Sequence, residues 1–412
     1  MTPIEPKRAG EIAKRLRRAN DGTGERWLWP EIPIREWQIA VAGFESVIRA
    51  VLTDGHSAVP LCGQPRVVGI AAYTSGMGPL LGYWLSTGAL QAETSIEQVL
   101  SRHLANNRVR MRMLFEQASR LVHAMVCEGV RPVMLKGIDT AYRFFPEPGA
   151  RPMSDIDVLI NAEDHLRATR ALKSLGYRRA HSRKFPHCEN WKAIWSNDLP
   201  QSLEMVEQED PWSIDMHMTL DRRNSPGSPR LRLDQAGLLA SARSWAGCGE
   251  ADALDGMALV FFLLVHASNL PSLSLIRLVE LTFAIRHFEK SGQLDWHLVR
   301  EHSSMAGAEE SVLPALKMVE RLVPGTVPDE ILCWSESYGS RELIDVLDEL
   351  SPSSAQTVTT LKTKQKLMWT PTWSSRFLFL IRALFLPHMS MDQRLKTYGS
   401  RIRRVFYHII AG

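Results

Sequence analysis

The stretch Arg151-Pro152-Met153-Ser154-Asp155-Ile156-Asp157-Val158-Leu159-Ile160 decides how this chain folds and where its chemistry lies. Upstream of it, an apolar run beginning at Pro132 ends in Leu135-Lys136-Gly137, with Gly137 eighteen residues before Asp155. Both apolar runs read as short strands, and a strand sends alternate side chains to the same face. Asp155 and Asp157 therefore project together. Two carboxylates on one face repel unless a cation sits between them. A hard divalent ion such as Mg²⁺ suits that arrangement, because it is usually held by one or two carboxylates plus substrate phosphates. Asp-x-Asp pairs also occur in loops, where they are merely solvated. This pair lies inside an apolar run behind an Arg-Pro-x-Ser turn, which argues against the solvated reading.

A two-metal clamp on the entering and leaving oxygens of a phosphorus calls for about three carboxylates on neighbouring strands. Asp155 and Asp157 supply two. Asp215, in Trp212-Ser213-Ile214-Asp215-Met216-His217-Met218, is the third candidate. It is a lone acid in an alternating apolar segment, where a carboxylate is costly without a cation or a partner. His217 lies two residues on and shares its face. The plain alternative for Asp215 is a core carboxylate paired with an arginine, and for His217 a satisfied sheet histidine.

The order of apolar strand, Gly turn, Asp-x-Asp strand and later single-carboxylate strand resembles the DNA polymerase β-like nucleotidyltransferases. More closely, Leu135-Lys136-Gly137, Tyr142 through Pro146, Arg151 through Ile160 and Ile214-Asp215-Met216-His217 resemble a bacterial family of uncharacterised nucleotidyltransferases. The likeness continues through Leu175-Gly176-Tyr177 and weakly into His266 and Leu294-Asp295-Trp296. The resemblance implies an α+β fold: a polymerase β-like core, a small mixed sheet with helices on one face, flanked by N- and C-terminal helical regions. It implies Mg²⁺, or Mn²⁺, as cofactor and an NTP as substrate. Asp155, Asp157 and Asp215 would bind the metal, and Asp215 would help deprotonate the acceptor. Gly137 would let the backbone approach phosphate. Lys136 and Arg151 would contact phosphate oxygens, Arg151 with its bidentate fork, and Ser154 and His217 would support them. The plain alternatives are a solvated turn lysine and a salt bridge that orders the loop. The acceptor implied is a small molecule, sugar or peptide in a biosynthetic pathway; a non-catalytic nucleotide-binding scaffold is the alternative. Two departures stand out. The wider superfamily follows the turn glycine with another Gly or Ser, whereas Ile138 follows here. Where the closer family often carries an Asp after the His266 position, the nearest acid here is Glu280.

The rest of the chain frames this core. With 412 residues, two or three domains are possible. A net charge of +4 is too mild to argue for nucleic acid. The five cysteines carry no Cys-x-x-Cys pair, so reduced thiols in a cytoplasmic protein are expected rather than a disulfide frame or zinc site. No stretch reaches the roughly 18 apolar residues of a membrane span, and no apolar core follows the basic N-terminus as in a signal peptide.

Residues 1–25 read as a basic, disordered segment and 26–107 as an N-terminal helical region. The core spans 108–222, with strands expected at Val133–Leu135, Ile156–Ile160, Leu203–Val206 and Ile214–Met218. One long helix is expected from Asn106 to Gly129, behind a separate helix opening at Ser95. Arg222 to Arg232 reads as a linker, and 233–412 as a C-terminal helical domain. In its last part Arg376, Arg382, Arg394 and Arg401 alternate with phenylalanines. That pattern suits an amphipathic ending with a solvated basic face, with peripheral membrane or nucleic-acid contact as weaker readings. His187 and His266 read as minor site candidates, His266 more simply as a helix-end partner.

Overall fold

The structure of the chain, a computed structural model, describes residues 4–20, 27–53, 58–180, 188–223, 230–267 and 273–355. It begins with α1 (Pro6–Asn20), α2 (Ile34–Thr53), β1 (Val59–Leu61), α3 (Pro65–Ser75), α4 (Gly78–Ser86), β2 (Leu90–Ala92) and the long α5 (Thr94–Cys127). The middle runs β3 (Val133–Met134), α6 (Ile138–Arg143), β4 (Asp155–Leu159), α7 (His165–Ser174), β5 (Tyr177–Arg179), β6 (Cys188–Ala193) and β7 (Ser213–His217). Then follow β8 (Arg222–Arg223), β9 (Arg230–Leu231), α8 (Gln235–Leu239), β10 (Arg243–Ser244) and β11 (Asp252–Ala253). Helices α9 (Gly256–His266), α10 (Leu275–Lys290), α11 (Trp296–Ala306), α12 (Glu309–Leu322), α13 (Asp329–Tyr338) and α14 (Arg341–Glu349) complete the described chain.

The architecture is α+β. Among the described residues, one mixed sheet holds seven strands in the order β10-β11-β3-β4-β7-β6-β5. At its centre β4 and β7 run parallel. The flanking β3 and β6 are antiparallel to β4 and β7 respectively. The period of two sorts the side chains. Ile156 and Val158 of β4, Ile214 and Met216 of β7 and Trp191 of β6 join one apolar cluster with Leu114, Leu121 and Met125 of α5 and Leu172 of α7. That face is fully sealed. The opposite face carries Asp155 and Asp157, and beyond them Leu159, which joins a second cluster with the N-terminal helices and α9 to α12.

Local signals place the chain for this arrangement. At the end of α5, Gly129 takes φ +72°, and Val130 N–H bonds back to the Met125 carbonyl at 2.9 Å. A left-handed residue with such a back-bond stops a helix and redirects the chain, here straight into β3. Asn161 and Gly176 bracket the short helical stretch that contains α7, as their residue types suggest.

Several expectations change. The helices expected from Ser95 and from Asn106 are one element, because no glycine or proline interrupts Thr94–Cys127. The basic N-terminus forms α1, which buries Ile12 and sends Arg15 to the Leu28 carbonyl at 3.1 Å. Leu203–Val206 is a loop instead of a strand, organised by the Asp210 carboxylate accepting from the backbone N–H of Gln201 (2.8 Å) and Glu207 (3.0 Å). The stretch read as a linker contains the paired β8 and β9, and β10 and β11 extend the sheet beyond residue 222. His187 and the basic region from Arg376 onward lie outside the described residues. Among the described residues, no helix is long and apolar enough to cross a membrane.

Candidate active site

The register of the two central strands builds the site. Asp157 of β4 sits directly opposite Asp215 of β7, and Asp155 lies two residues back on the face of Asp157. One oxygen from each of Asp155, Asp157 and Asp215 lies within 4.8 Å of the others. Asp157 is buried, while Asp155 and Asp215 are half-buried. The three acids proposed from the sequence therefore meet at one point.

Their partners differ. The Lys136 ammonium, itself buried, bonds one Asp157 oxygen, and the His217 ring lies 3.2 Å from the other. Burial opposes the charged form of Asp157, but Lys136 and His217 overcome it and hold its pKa well below the usual carboxylate range. Asp215 goes the opposite way. Burial, then the adjacent Asp157 and Asp155 carboxylates, push its pKa up, and a hydrogen bond from Asn190 Nδ2 at 2.6 Å offsets part of the rise. Three carboxylates and one ammonium leave two negative charges in the group. That surplus, with hard oxygen donors around one point, fits a divalent cation of the Mg²⁺ or Mn²⁺ kind.

The expected phosphate contacts are not all poised for that task. Lys136 leans on Asp157 within the site. Arg151 is buried and gives both arms of its fork to Glu280 of α10, Nε to Oε1 at 3.0 Å and Nη2 to Oε2 at 2.8 Å. Thr140 of α6 donates to the same Glu280 carboxylate. Burial opposes ionisation of Glu280, yet Arg151 and Thr140 hold its pKa below the ordinary value. Arg151 thus realises the salt-bridge alternative: it ties the loop before β4 to the helical layer. Gly137 occupies the tight turn into α6 with φ +67°, and an added Cβ would lie 3.2 Å from Met153 Cε and 3.8 Å from Arg151 Nη1. Ser154 is exposed at the mouth of the cleft, and its carbonyl accepts from the Ser213 N–H at 3.1 Å.

Beside the carboxylates lies a hollow of about 110 Å³ between the Arg151–Asp155 segment and helices α9 and α10. His266 and Arg277 line its far wall, with Arg277 Nη1 3.5 Å from His266 Nδ1. Asn190, Glu280 and Arg277 escaped the sequence reading as site neighbours. Glu280 did leave a signal: it is a lone acid in the apolar run Leu278-Val279-Glu280-Leu281, the same signal that marked Asp215. Asn190 gave none, because its position depends on the β6–β7 register.

No curated protein and no solved structure matches the chain. A family model described as "Uncharacterised nucleotidyltransferase" matches residues 68–324, a span that holds every strand of the seven-stranded sheet and both walls of the cleft. That match extends over more than half of the chain, and it places the protein in the uncharacterised nucleotidyltransferase family.

Proposed function

We propose that this chain moves a nucleoside monophosphate from an NTP to an acceptor hydroxyl or phosphate, with Mg²⁺ as its cofactor. One observation carries the reading: Asp155, Asp157 and Asp215 converge on adjacent parallel strands with two negative charges uncompensated. These three residues would hold the ions, which when bound supply charge stabilisation at the entering and leaving oxygens. The acceptor oxygen forms a bond to the α-phosphorus as the bond to pyrophosphate breaks, and pyrophosphate leaves with the electron pair. With a hydroxyl acceptor, the proton goes to Asp215, whose raised pKa makes it the readier base of the group. Asn190 fixes one Asp215 oxygen and leaves the other to the acceptor. His217 and Lys136 keep Asp157 ionised and fixed in orientation. A small-molecule, sugar or peptide acceptor in a biosynthetic pathway is favoured over a polynucleotide, consistent with the mild net charge.

A second reading has its own support. The Lys136 ammonium seated on Asp157 resembles a cation substitute, as expected of a nucleotide-binding scaffold that no longer turns over. Pyrophosphate release with each of the four NTPs, Mg²⁺ and a panel of acceptors separates the two. Release that vanishes in Asp155→Asn/Asp157→Asn supports transfer. Nucleotide binding without release under all acceptors favours the scaffold, and turnover unchanged in the double variant sinks the metal-site reading.

A further inference from the structure

The hollow beside the carboxylates has a direction. In the sheet, β3 lies on one side of β4 and β7 on the other. The hollow is lined by Lys136 at the end of the β3 run, by Arg151 through Asp155, and by Leu263, His266, Ala267, Ile276, Arg277 and Glu280 of the helical layer. No residue of β7 contributes to it. Of the three carboxylates, Asp155 is the one that borders it. In-line displacement puts the acceptor and the departing group on opposite sides of the phosphorus, so a hollow that borders Asp155 and not Asp215 suits the departing group of an acceptor that enters beside β7.

Its charge is specific. Three cations line it (Lys136, Arg151 and Arg277) against two acids (Asp155 and Glu280). Lys136 is committed to Asp157 and Arg151 to Glu280. Arg277 is half-buried, and among the described residues no carboxylate pairs with it; its polar contact is the 3.5 Å approach to the His266 ring. A guanidinium in a cleft whose acids are engaged elsewhere or unpaired with it is a fork-shaped donor set suited to two phosphate oxygens. At about 110 Å³ the hollow is well below the roughly 300–1,000 Å³ of sites that engulf a drug-sized ligand. It suits phosphoryl groups rather than a nucleoside.

We propose that Arg277 of α10 is a polyphosphate-binding residue, taking the β- and γ-phosphate oxygens of the NTP and the same oxygens of the departing pyrophosphate. The assignment of those oxygens to an NTP rests on the transferase reading above. It gives the helical layer a part in the reaction: α10 anchors itself to the core through Glu280 and reaches substrate through Arg277, one helical turn earlier on a neighbouring face.

Calorimetric titration of the full chain with tripolyphosphate, with and without Mg²⁺, tests this in the wild type, Arg277→Ala and Arg277→Lys. Mn²⁺ binding at the carboxylates is followed in parallel by electron paramagnetic resonance. Arg277→Ala is expected to weaken tripolyphosphate binding about 10- to 100-fold, the range of a lost charged hydrogen bond, and to leave Mn²⁺ binding unchanged. Equal affinity in wild type and Arg277→Ala overturns the proposal, as does a wild type that binds Mn²⁺ but no tripolyphosphate; both leave the metal site standing. A wild type that binds no Mn²⁺ overturns the transferase reading instead, and the metal-free titration still decides Arg277. Should Arg277→Ala melt early, Arg277→Lys decides alone. A loss of about three- to tenfold supports the bidentate contact, and wild-type affinity removes it.

Discussion

Two buried charge clusters share one cleft, and they are built on opposite terms. In the strand cluster three carboxylates face one ammonium, so charge is left over. In the α10 cluster the Arg151 guanidinium meets the Glu280 carboxylate across two parallel bonds, with Thr140 adding a third donor. The matched cluster is complete in itself and holds the helical layer against the core. The unmatched one keeps a surplus of negative charge. Burial does not set the two clusters apart; their charge balance does.

The sharpest way to break this comparison is at the unmatched cluster. Asp155→Asn/Asp157→Asn keeps the side-chain shapes and removes two charges. Divalent-dependent pyrophosphate release should fall to background, and Asp155→Asn alone, which leaves the buried Lys136–Asp157 pair in place, should lose activity with little change in melting temperature. At the matched cluster the order reverses. Glu280→Ala leaves the buried Arg151 without its acid, and breaking such a pair costs about 3–5 kcal/mol. Urea unfolding should show that loss, and a change below about 1 kcal/mol would mean that the pair does not clamp the layers.

The same carboxylate predicts a pH effect. The Glu280 pKa is lowered in the folded protein, so its contribution is fully present above the ordinary 4.5 and is lost as pH falls through the lower folded value. Glu280→Gln should therefore flatten the fall of stability with acid below about pH 4.5 relative to wild type, read from denaturation curves at stepped pH. Smaller effects sharpen the edges of the comparison. Gly137→Ala places a Cβ residue at φ +67°, ψ −89°, outside the left-handed helical well, which costs on the order of 1–3 kcal/mol, and chemical denaturation should show that loss. Asn190→Ala removes one bond to Asp215 and should cost about 1 kcal/mol in stability, with a several-fold drop in turnover as its second readout.

The carboxylate strand was legible because two simple rules apply to it. Alternation puts Asp155 and Asp157 on one face, and the cost of a bare carboxylate flags Asp215 inside an apolar segment. The strands themselves were legible where both neighbours are apolar, as in β4 and β7. The run that forms β6, Cys188-Glu189-Asn190-Trp191-Lys192-Ala193, buries Glu189 beside Trp191 and Ala193, so its apolar pattern is diluted and it reads as polar. Conversely, Leu203 and Val206 are buried without joining a ladder; the Asp210 carboxylate accepts from the backbone N–H groups of Gln201 and Glu207 on either side of them, in place of a strand neighbour's carbonyls. The fate of Arg151 was the least legible. Its partner Glu280 is 129 residues away, and nothing local separates a phosphate contact from a salt bridge at that range.

Helix α5 carries one more consequence. Its 34 residues extend for about 50 Å. Ile96 and Leu100, near its start, belong to the apolar cluster of α2, α3 and α4, while Leu114 through Met125 lie beneath the sheet. A boundary drawn at residue 108 would cut this rod in mid-span. The N-terminal helices and the sheet thus share one spine: α3 and α4 pack on α5, and the strands that carry Asp155, Asp157 and Asp215 lie over its later turns.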